Sequence, residues 1–306
     1  MFPPGTSFSR LERLLITGCE SLERLPDDIG ERLPRLRELS FCECKKLRLP
    51  EQFTSLSCLQ QLTISSCGLG SLPENFGNLP ALKTLTLSRL PLSSLPDSLY
   101  LLTSLVTLCI SHCNGFNELP ERFAFLIALN PVSIPNSLYL TLPEDIGSLT
   151  NLQTFRLSEY FSQQLLPSSF TQLSSLTRLE LSECMVAELP GELGKLTNLR
   201  VLTLQACPSL QELPQSLTDL IGLEVLKVVD CDILASIPTS FSNFTRLRNL
   251  ALIKLPQLAQ LRGMSLTSAG PIGGLAAGLT LPSLVHLQLV LIGEAEEFPF
   301  AAGTLF

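Results

Sequence analysis

The sequence predicts an α/β solenoid in which a parallel sheet lines the concave face and short helical or 3₁₀ returns line the convex side. Three observations lead to this prediction. A leucine opens a similar unit about twelve times, and ten of the eleven spacings are 23 to 25 residues. Apolar residues alternate at the start of each unit, as in a strand. A Leu-Pro pair then precedes apolar residues at helical spacing.

The period fixes where each unit begins. The opening leucines are Leu11, Leu36, Leu59, Leu82, Leu105, Leu129, Leu152, Leu176, Leu199, Leu223, Leu247 and Leu284. Because a solenoid is one continuous object, we treat residues 1–306 as a single domain. Residues 11–261 are the regular array, residues 262–283 a glycine-rich insertion loop, and residues 284–306 a last degenerate repeat and tail.

One unit in the middle of the array shows how each element follows from its residues. In the run Leu202-Thr203-Leu204 the side chains alternate, so both leucines point inward and the threonine points outward. Leu217 and Leu220 are three residues apart, which suits a helical or 3₁₀ turn on the opposite side. No single unit can bury these leucines alone. Stacking of neighbouring units therefore closes the core and pairs the strands in parallel.

The return to the next unit is marked by a Leu-Pro pair. These pairs are Leu25-Pro26, Leu72-Pro73, Leu95-Pro96, Leu119-Pro120, Leu142-Pro143, Leu189-Pro190 and Leu213-Pro214. Proline is tolerated at the first helical position, because the N–H that it lacks would be unpaired there. Acidic residues follow most of the prolines and suit the positive end of a helix dipole.

These units resemble the leucine-rich-repeat family over residues 11 to about 300. Units of 23 residues that contain L-P-E-N-F-G-N-L, such as residues 59–81, resemble the intracellular Ras-group repeats. Units of 24 residues that contain C-x-x-L-x-x-L-P, such as residues 199–222, resemble the repeats that end plant nucleotide-binding resistance receptors. The resemblance implies an arc or horseshoe with the parallel sheet on its concave face.

Seven of the ten cysteines recur at the ninth position of a unit. They are Cys19, Cys44, Cys67, Cys113, Cys184, Cys207 and Cys231. In the family this position holds Asn or Cys, whose side chain bonds backbone groups in the bend between units. We therefore interpret the seven as a buried ladder. Cys42 and Cys109 fall at outward positions, where we expect surface thiols. The Cys42-x-Cys44 spacing does not suit zinc, and we predict no metal site.

Composition excludes several classes of partner. The net charge is −7 and the isoelectric point is near 5.0, whereas nucleic-acid binding needs an excess of Lys and Arg. Apolar residues are interrupted every two or three positions, so no transmembrane helix is predicted. The first ten residues lack the apolar core of a signal peptide. We expect a cytoplasmic protein.

Motifs of catalysis are weak. The chain has two histidines, and the side chain of His112 is expected to point away from that of Cys113. The segment Gly191–Thr197 resembles a phosphate loop only superficially, because the spacer is too short and leucine follows the lysine. We assign this segment to the return of its unit. We predict neither enzymatic activity nor a cofactor.

Two places depart from the repeat. Pro131 and Pro135 fall in a strand segment, which predicts a shortened strand because each proline lacks a donor. The glycine-rich loop at residues 262–283 is expected to be mobile, although its alternating apolar residues leave open a role in docking. Phe8 takes the place of the last leucine of a unit, so the chain begins inside a repeat. This start is expected either for a piece of a larger protein or for an incomplete gene model.

The candidate recognition surface is the set of outward strand positions. Twelve strands at about 4.8 Å give a concave face of roughly 50–55 Å, which spans a protein domain. The charged candidates in its central part are Arg156, Glu159, Arg178, Glu180, Glu183, Arg200 and Lys227. Mixed signs suit specific pairing with a protein. The alternative is a merely solvated surface.

Three functions remain open. The first, implied by the resemblance, is the ligand-sensing and autoinhibitory region of a plant disease-resistance-like protein, beside a nucleotide-binding domain in a longer chain. The second is a free-standing Ras-group scaffold in small-GTPase signalling. The third is the substrate-recognition arm of an enzyme. All three rest on binding to a protein partner.

Overall fold

The strands form one parallel sheet of twelve and follow one another in sequence order. The computed structural model describes residues 6–113, 115–135, 140–160, 165–238, 243–260 and 283–290. The strands are β1 (Arg13–Thr17), β2 (Glu38–Cys42), β3 (Gln61–Ser65), β4 (Thr84–Ser88), β5 (Thr107–Ser111), β6 (Val132–Pro135), β7 (Thr154–Tyr160), β8 (Arg178–Cys184), β9 (Val201–Gln205), β10 (Val225–Val229), β11 (Asn249–Ile253) and β12 (His286–Val290). Each predicted unit therefore contributes one strand, as the period requires.

Equivalent residues of neighbouring units pair with each other. Leu179 pairs with Leu202, and Leu202 pairs with Leu226. All three side chains are fully buried, whereas Thr203, between two buried leucines, is partly exposed. This constant register confirms the predicted alternation of inward leucines and outward polar residues. Each inward side chain lies above its counterpart, so the core is a set of parallel apolar rows.

Short helical segments return the chain along the convex side. The α-helices are α1 (Ile29–Arg32) and α2 (Pro256–Gln260), and the 3₁₀ turns are Glu51–Ser55, Phe76–Asn78, Asp97–Leu101, Phe123–Phe125, Ile146–Ser148, Ser168–Gln172, Leu193–Lys195 and Gln215–Asp219. Pro96 and Pro214 immediately precede their turns in an extended conformation, with ψ near 146° and 145°. Each proline thus lies one residue before the first helical position, where it was predicted, because its extended ψ is not helical.

Phenylalanines from the returns fill the space between the sheet and the convex side. Phe53 and Phe76 stack in neighbouring units, with ring centroids 6.3 Å apart and planes 6° from parallel. Phe155 of β7 meets Phe170 of the next return edge-on at 5.3 Å. All four are fully buried. Burial of each such side chain contributes about 1.5–3 kcal/mol, so the cross-core pairs hold the returns against the sheet.

A glycine in one return faces a serine in the next. The Gly77 N–H donates to Ser98 Oγ at 3.0 Å, and the same bond joins Gly147 to Ser169 at 3.2 Å. It recurs from Gly194 to Ser216 Oγ at 3.2 Å. A Cβ on any of these glycines would overlap the carbonyl oxygen of the facing serine. These contacts therefore join neighbouring units as close doublets, namely the third with the fourth, the sixth with the seventh, and the eighth with the ninth.

The fifth unit interrupts this pairing. Ala124 stands where the third and sixth units have Gly77 and Gly147, and the strand that follows is short. Strand β6 pairs with β5 only at Leu108–Val132 and Cys109–Ser133, whereas most neighbouring strands pair at five positions. The two prolines of the β6 region thus have the predicted effect on the ladder.

Some predicted segments fall outside the described residues. The insertion loop, apart from Ser283, and the tail after Val290 are among them. Within the described ranges, no helix has the length and apolar character needed to cross a membrane.

Candidate partner-binding face

Three outward side chains per strand form the concave face. In β8 they are Arg178, Glu180 and Ser182, which alternate with buried Leu179 and Leu181. Side chains at equal positions of neighbouring strands lie about 4.8 Å apart. The face is therefore a grid of three rows, and its chemistry follows from reading every second residue of each strand.

Three of the predicted residues form one ionic cluster. Arg156 of β7 pairs in register with Glu180 of β8, and its Nε lies 2.7 Å from Glu180 Oε2. The other carboxylate oxygen, Oε1, lies 2.9 Å from Nη1 of Arg178. Both guanidinium groups are about half exposed, so each pair contributes at most about 1 kcal/mol to stability. The cluster leaves one net positive charge at the centre of the face.

Lys227 adds a separate cation to the same row. Thr203 lies between Glu180 and Lys227 in the register, so two strand spacings, about 10 Å, separate the carboxylate strand from the lysine strand. The Lys227 side chain is exposed, and within the described part of the chain it forms no ion pair. It is available to a carboxylate of a partner.

Glu159 and Glu183 lie at the edge of the face, where each strand bends. Both have left-handed backbones, with φ of 52° and 54°. The same position has positive φ in Gly18, Glu43, Ser66, Arg89, His112, Ala206, Asp230 and Lys254. Sequence reasoning missed this feature, because nine of these ten residues are not glycine, although left-handed backbone disfavours other side chains. The recurrence turns one side chain per unit toward the rim of the sheet.

Arg200 has a different role from the other predicted residues. It precedes β9, and its Nη1 donates to the carbonyl oxygen of Gly222 at 2.9 Å. Gly222 lies at the far end of the same unit. A Cβ at residue 222 would overlap that guanidinium group. Arg200 therefore links the start of its strand to the turn that ends the same unit, and it is only partly exposed.

The half of the face that includes β3 to β6 is rich in hydroxyl groups, which the prediction overlooked. In the middle row Thr63, Thr86, Cys109 and Ser133 follow one another on β3 to β6. In the next row Ser88 Oγ donates to a serine Oγ of β3 at 2.9 Å. These side chains are small and uncharged, so this half is flatter than the charged half. Reading every second strand residue would have revealed it.

The cysteine ladder lies beneath this face, as predicted. The thiols of Cys67 and Cys184 each donate to the backbone carbonyl two residues earlier, at 3.2 Å. Cys207 does the same at 3.6 Å. Six ladder cysteines are buried and Cys19 is half-buried, while Cys42 and Cys109 are also half-buried. Exposed Cys58, which the sequence reading did not single out, is the surface thiol.

We expect Cys58 to react first with iodoacetamide on the native protein. Burial raises the pKa of the Cys67 and Cys113 thiols, so at neutral pH they are protonated as well as inaccessible. Peptide mapping after a short exposure should show Cys58 modified and the ladder intact. A denaturant should make the ladder reactive. Rapid native labelling of Cys67 would contradict its burial.

The dismissed motifs occupy structural positions. Gly194 lies in the 3₁₀ turn Leu193–Lys195, and Leu193 is fully buried in the core. Lys195 Nζ pairs with Glu192 at 2.6 Å. This geometry confirms that the segment is the return of its unit. Within the described ranges, no group of three metal-ligating residues comes together.

Comparison with known proteins supports the repeat assignment. A family model described as Leucine Rich Repeat matches residues 58–79. No curated protein matches the sequence. The leucine-rich repeat domain of the type III effector XopL is 28% identical, with a TM-score of 0.61, and the alignment covers 81% of this chain and 77% of that domain.

Two further structures share the fold. Toll in the Drosophila Toll–Spatzle complex is 21% identical, with a TM-score of 0.70, over 92% of this chain and 41% of that one. The PEPR1–AtPEP1 structure is 23% identical, with a TM-score of 0.55, over 79% of this chain and 37% of that one. Together with the twelve-stranded parallel sheet, these likenesses establish a leucine-rich-repeat solenoid.

Proposed function

We propose that this leucine-rich-repeat solenoid binds a protein partner through the concave side chains of β7 to β10. The leucine-rich-repeat fold supports a role as a protein–protein recognition scaffold. The observation that carries the proposal is the Arg156–Glu180–Arg178 cluster, whose two guanidinium groups are held by one carboxylate. Lys227 extends the same surface, and Glu159 and Glu183 provide carboxylates at its rim.

The cluster is suited to recognition because its charges are positioned before a partner arrives. Glu180 fixes both arginines, so less side-chain freedom is lost on binding than with separate surface arginines. Each guanidinium group has further N–H donors beyond those that face Glu180. A partner that presents carboxylates or backbone carbonyls can bind to these donors. Arg200 is left out of the contact surface, because its guanidinium group is bound to Gly222.

Within this role, we propose the ligand-sensing and autoinhibitory region of a plant disease-resistance-like protein. The Cys-x-x-Leu-x-x-Leu-Pro units support it, since they resemble the repeats of those receptors. A nucleotide-binding domain in a longer chain would then be the second partner. A cytoplasmic location belongs to the same proposal, because the ladder thiols of Cys67, Cys184 and Cys207 donate hydrogen bonds to backbone carbonyls, which suits a reducing compartment.

The alternative is an intracellular Ras-group scaffold in small-GTPase signalling. The units with L-P-E-N-F-G-N-L favour it. The two roles differ in the partner that they require. Binding of a purified nucleotide-binding domain distinguishes the first, and binding of a small GTPase distinguishes the second.

The test of the concave face is the double reversal Arg178→Glu and Glu180→Arg. We expect partner binding to weaken at least about tenfold, chiefly through a faster off-rate, because misplaced charges become buried without partners. Stability should fall by no more than about 1 kcal/mol, since both side chains are partly exposed and point away from the leucine core. Surface plasmon resonance with the purified partner measures both rates.

The matched control is the reversal Glu192→Lys and Lys195→Glu on the convex side. This exchange also inverts a close ion pair and also leaves the net charge unchanged. Binding should persist in the control. Equal affinity of wild type and concave variant would refute the proposed surface.

A further inference from the structure

The fourth and fifth units expose an apolar patch on the convex side. We define the convex patch as Tyr100, Leu101, Phe125 and Ile127. Phe125 is 60% exposed, Ile127 53% and Leu101 44%. The rings of Tyr100 and Phe125 meet edge-on across the two units, with centroids 6.2 Å apart. The guanidinium carbon of Arg122 lies 5.0 Å from the centroid of the Tyr100 ring. These contacts arrange the patch as one continuous surface.

The other units show that the fold does not need apolar residues here. Where these units have Leu101 and Phe125, the third and sixth units have Asn78 and Ser148. Where the fifth unit has Ile127, the sixth has Thr150. The core contact of each return comes from another residue, which is fully buried in every one of these turns. The patch therefore adds an exposed surface beyond what stacking requires.

A row of carboxylates runs beside the patch. One acidic residue begins the return in each of five successive units, namely Glu51, Glu74, Asp97, Glu121 and Glu144. All five are exposed, and none forms an ion pair with another residue in the described ranges. Asp97 and Leu101 begin and end one 3₁₀ turn, so the acidic and apolar rows are about 8 Å apart.

We propose that the convex patch binds a basic amphipathic helix of a partner protein. An α-helix has a diameter of about 10–12 Å with its side chains, which fits two parallel rows about 8 Å apart. Its apolar stripe would cover Leu101, Phe125 and Ile127. Lysines or arginines along one flank would face Asp97, Glu121 and Glu144. Helix-in-groove recognition of this kind needs only a few apolar anchors.

Charge favours this occupant over two others. Anionic lipid headgroups would be repelled by the row of carboxylates. A second copy of the chain bound at the patch would place its own row of carboxylates near this one, and the two rows would repel each other. Each alternative gives a distinct result in the test.

The probe is a fluorescent model peptide of leucine and lysine, with leucines at i, i+3, i+4 and i+7. Anisotropy measures its affinity for the whole chain. The patch variant carries Leu101→Asn, Phe125→Ser and Ile127→Thr, which are the residues of the third and sixth units. We expect the Kd to rise at least about tenfold. The single change Phe125→Ser is the reserve if the triple variant misfolds.

The control is Ile221→Thr. Ile221 is 60% exposed and occupies in the ninth unit the position of Ile127, away from the patch. The affinity of the Ile221→Thr variant for the peptide should match that of wild type. The variant Asp97→Asn, Glu121→Gln and Glu144→Gln should bind more weakly at low salt and show a flatter salt dependence. The concave reversal should leave peptide binding intact, so this proposal and the concave one fail separately.

Several outcomes would overturn the proposal. These are no saturable binding by wild type, equal affinity of the patch variant, and equal binding of a leucine–glutamate peptide of the same pattern. Sedimentation of wild type as a dimer that the patch variant abolishes would assign the patch to a second copy. Patch-dependent binding to phosphatidylserine vesicles would assign it to a membrane.

Discussion

Replacement of Leu202 by aspartate should unfold the middle of the array. Leu202 is fully buried and pairs in register with leucines on both neighbouring strands. The new carboxylate would have neither water nor a cation beside it. We expect a loss of about 4 kcal/mol or more, whether the group stays charged or is protonated. Urea denaturation followed by far-UV circular dichroism measures the loss.

The control for this prediction is the adjacent substitution Thr203→Asp. Thr203 is partly exposed on the concave face, between the Glu180 and Lys227 strands. One neighbour repels the new charge and the other attracts it, so stability should change by no more than about 0.5 kcal/mol. Equal destabilisation by the two variants would show that the register is wrong.

The second large effect is expected from Gly77→Ala. A methyl group at residue 77 would overlap the Ser98 carbonyl oxygen, which is rigid backbone. The two returns must separate, which also lengthens the bond from the Gly77 N–H to Ser98 Oγ. Overpacking of this kind costs about 1–3 kcal/mol, more than alanine gains from helix propensity. Thermal unfolding should show a lower Tm.

Gly191→Ala is the matched control for the clash. Gly191 begins the return of the eighth unit, and no atom lies within 4 Å of a Cβ placed there. Its φ is ordinary, so alanine restricts the unfolded chain and should be neutral or stabilise by up to about 1 kcal/mol. A destabilisation as large as that of Gly77→Ala would mean that the loss comes from glycine removal in general.

The sequence was sufficient to predict the strands and the core, because their signal is local. Each buried leucine recurs at a fixed distance, and burial of a row depends only on the period. The pinched β6 could be predicted for the same reason, since Pro131 and Pro135 act on their own backbone. The cysteine ladder followed from position within the unit.

The pairing of charged groups could not be predicted in this way. Arg156 contacts Glu180 on the next strand rather than Glu159 on its own, and this choice depends on register and rotamer. Arg200 looked equivalent to Arg178, yet its guanidinium group reaches a backbone carbonyl that only a glycine leaves open. The left-handed residues gave no signal either, because the stacked ladder imposes that backbone on ordinary side chains.

The glycine–serine bonds give the solenoid a longer period than its sequence has. In a one-dimensional chain of repeats, stability is the sum of intrinsic terms and nearest-neighbour couplings. Here the couplings between returns on the convex side alternate, strong inside each doublet and weaker between doublets. Fluctuations on the convex side should therefore separate neighbouring returns most readily between doublets. The fifth unit belongs to no doublet, so the alternation shifts by one unit there. Apart from the unpaired fifth unit, the smallest length that can be excised or inserted without splitting a doublet is two repeats.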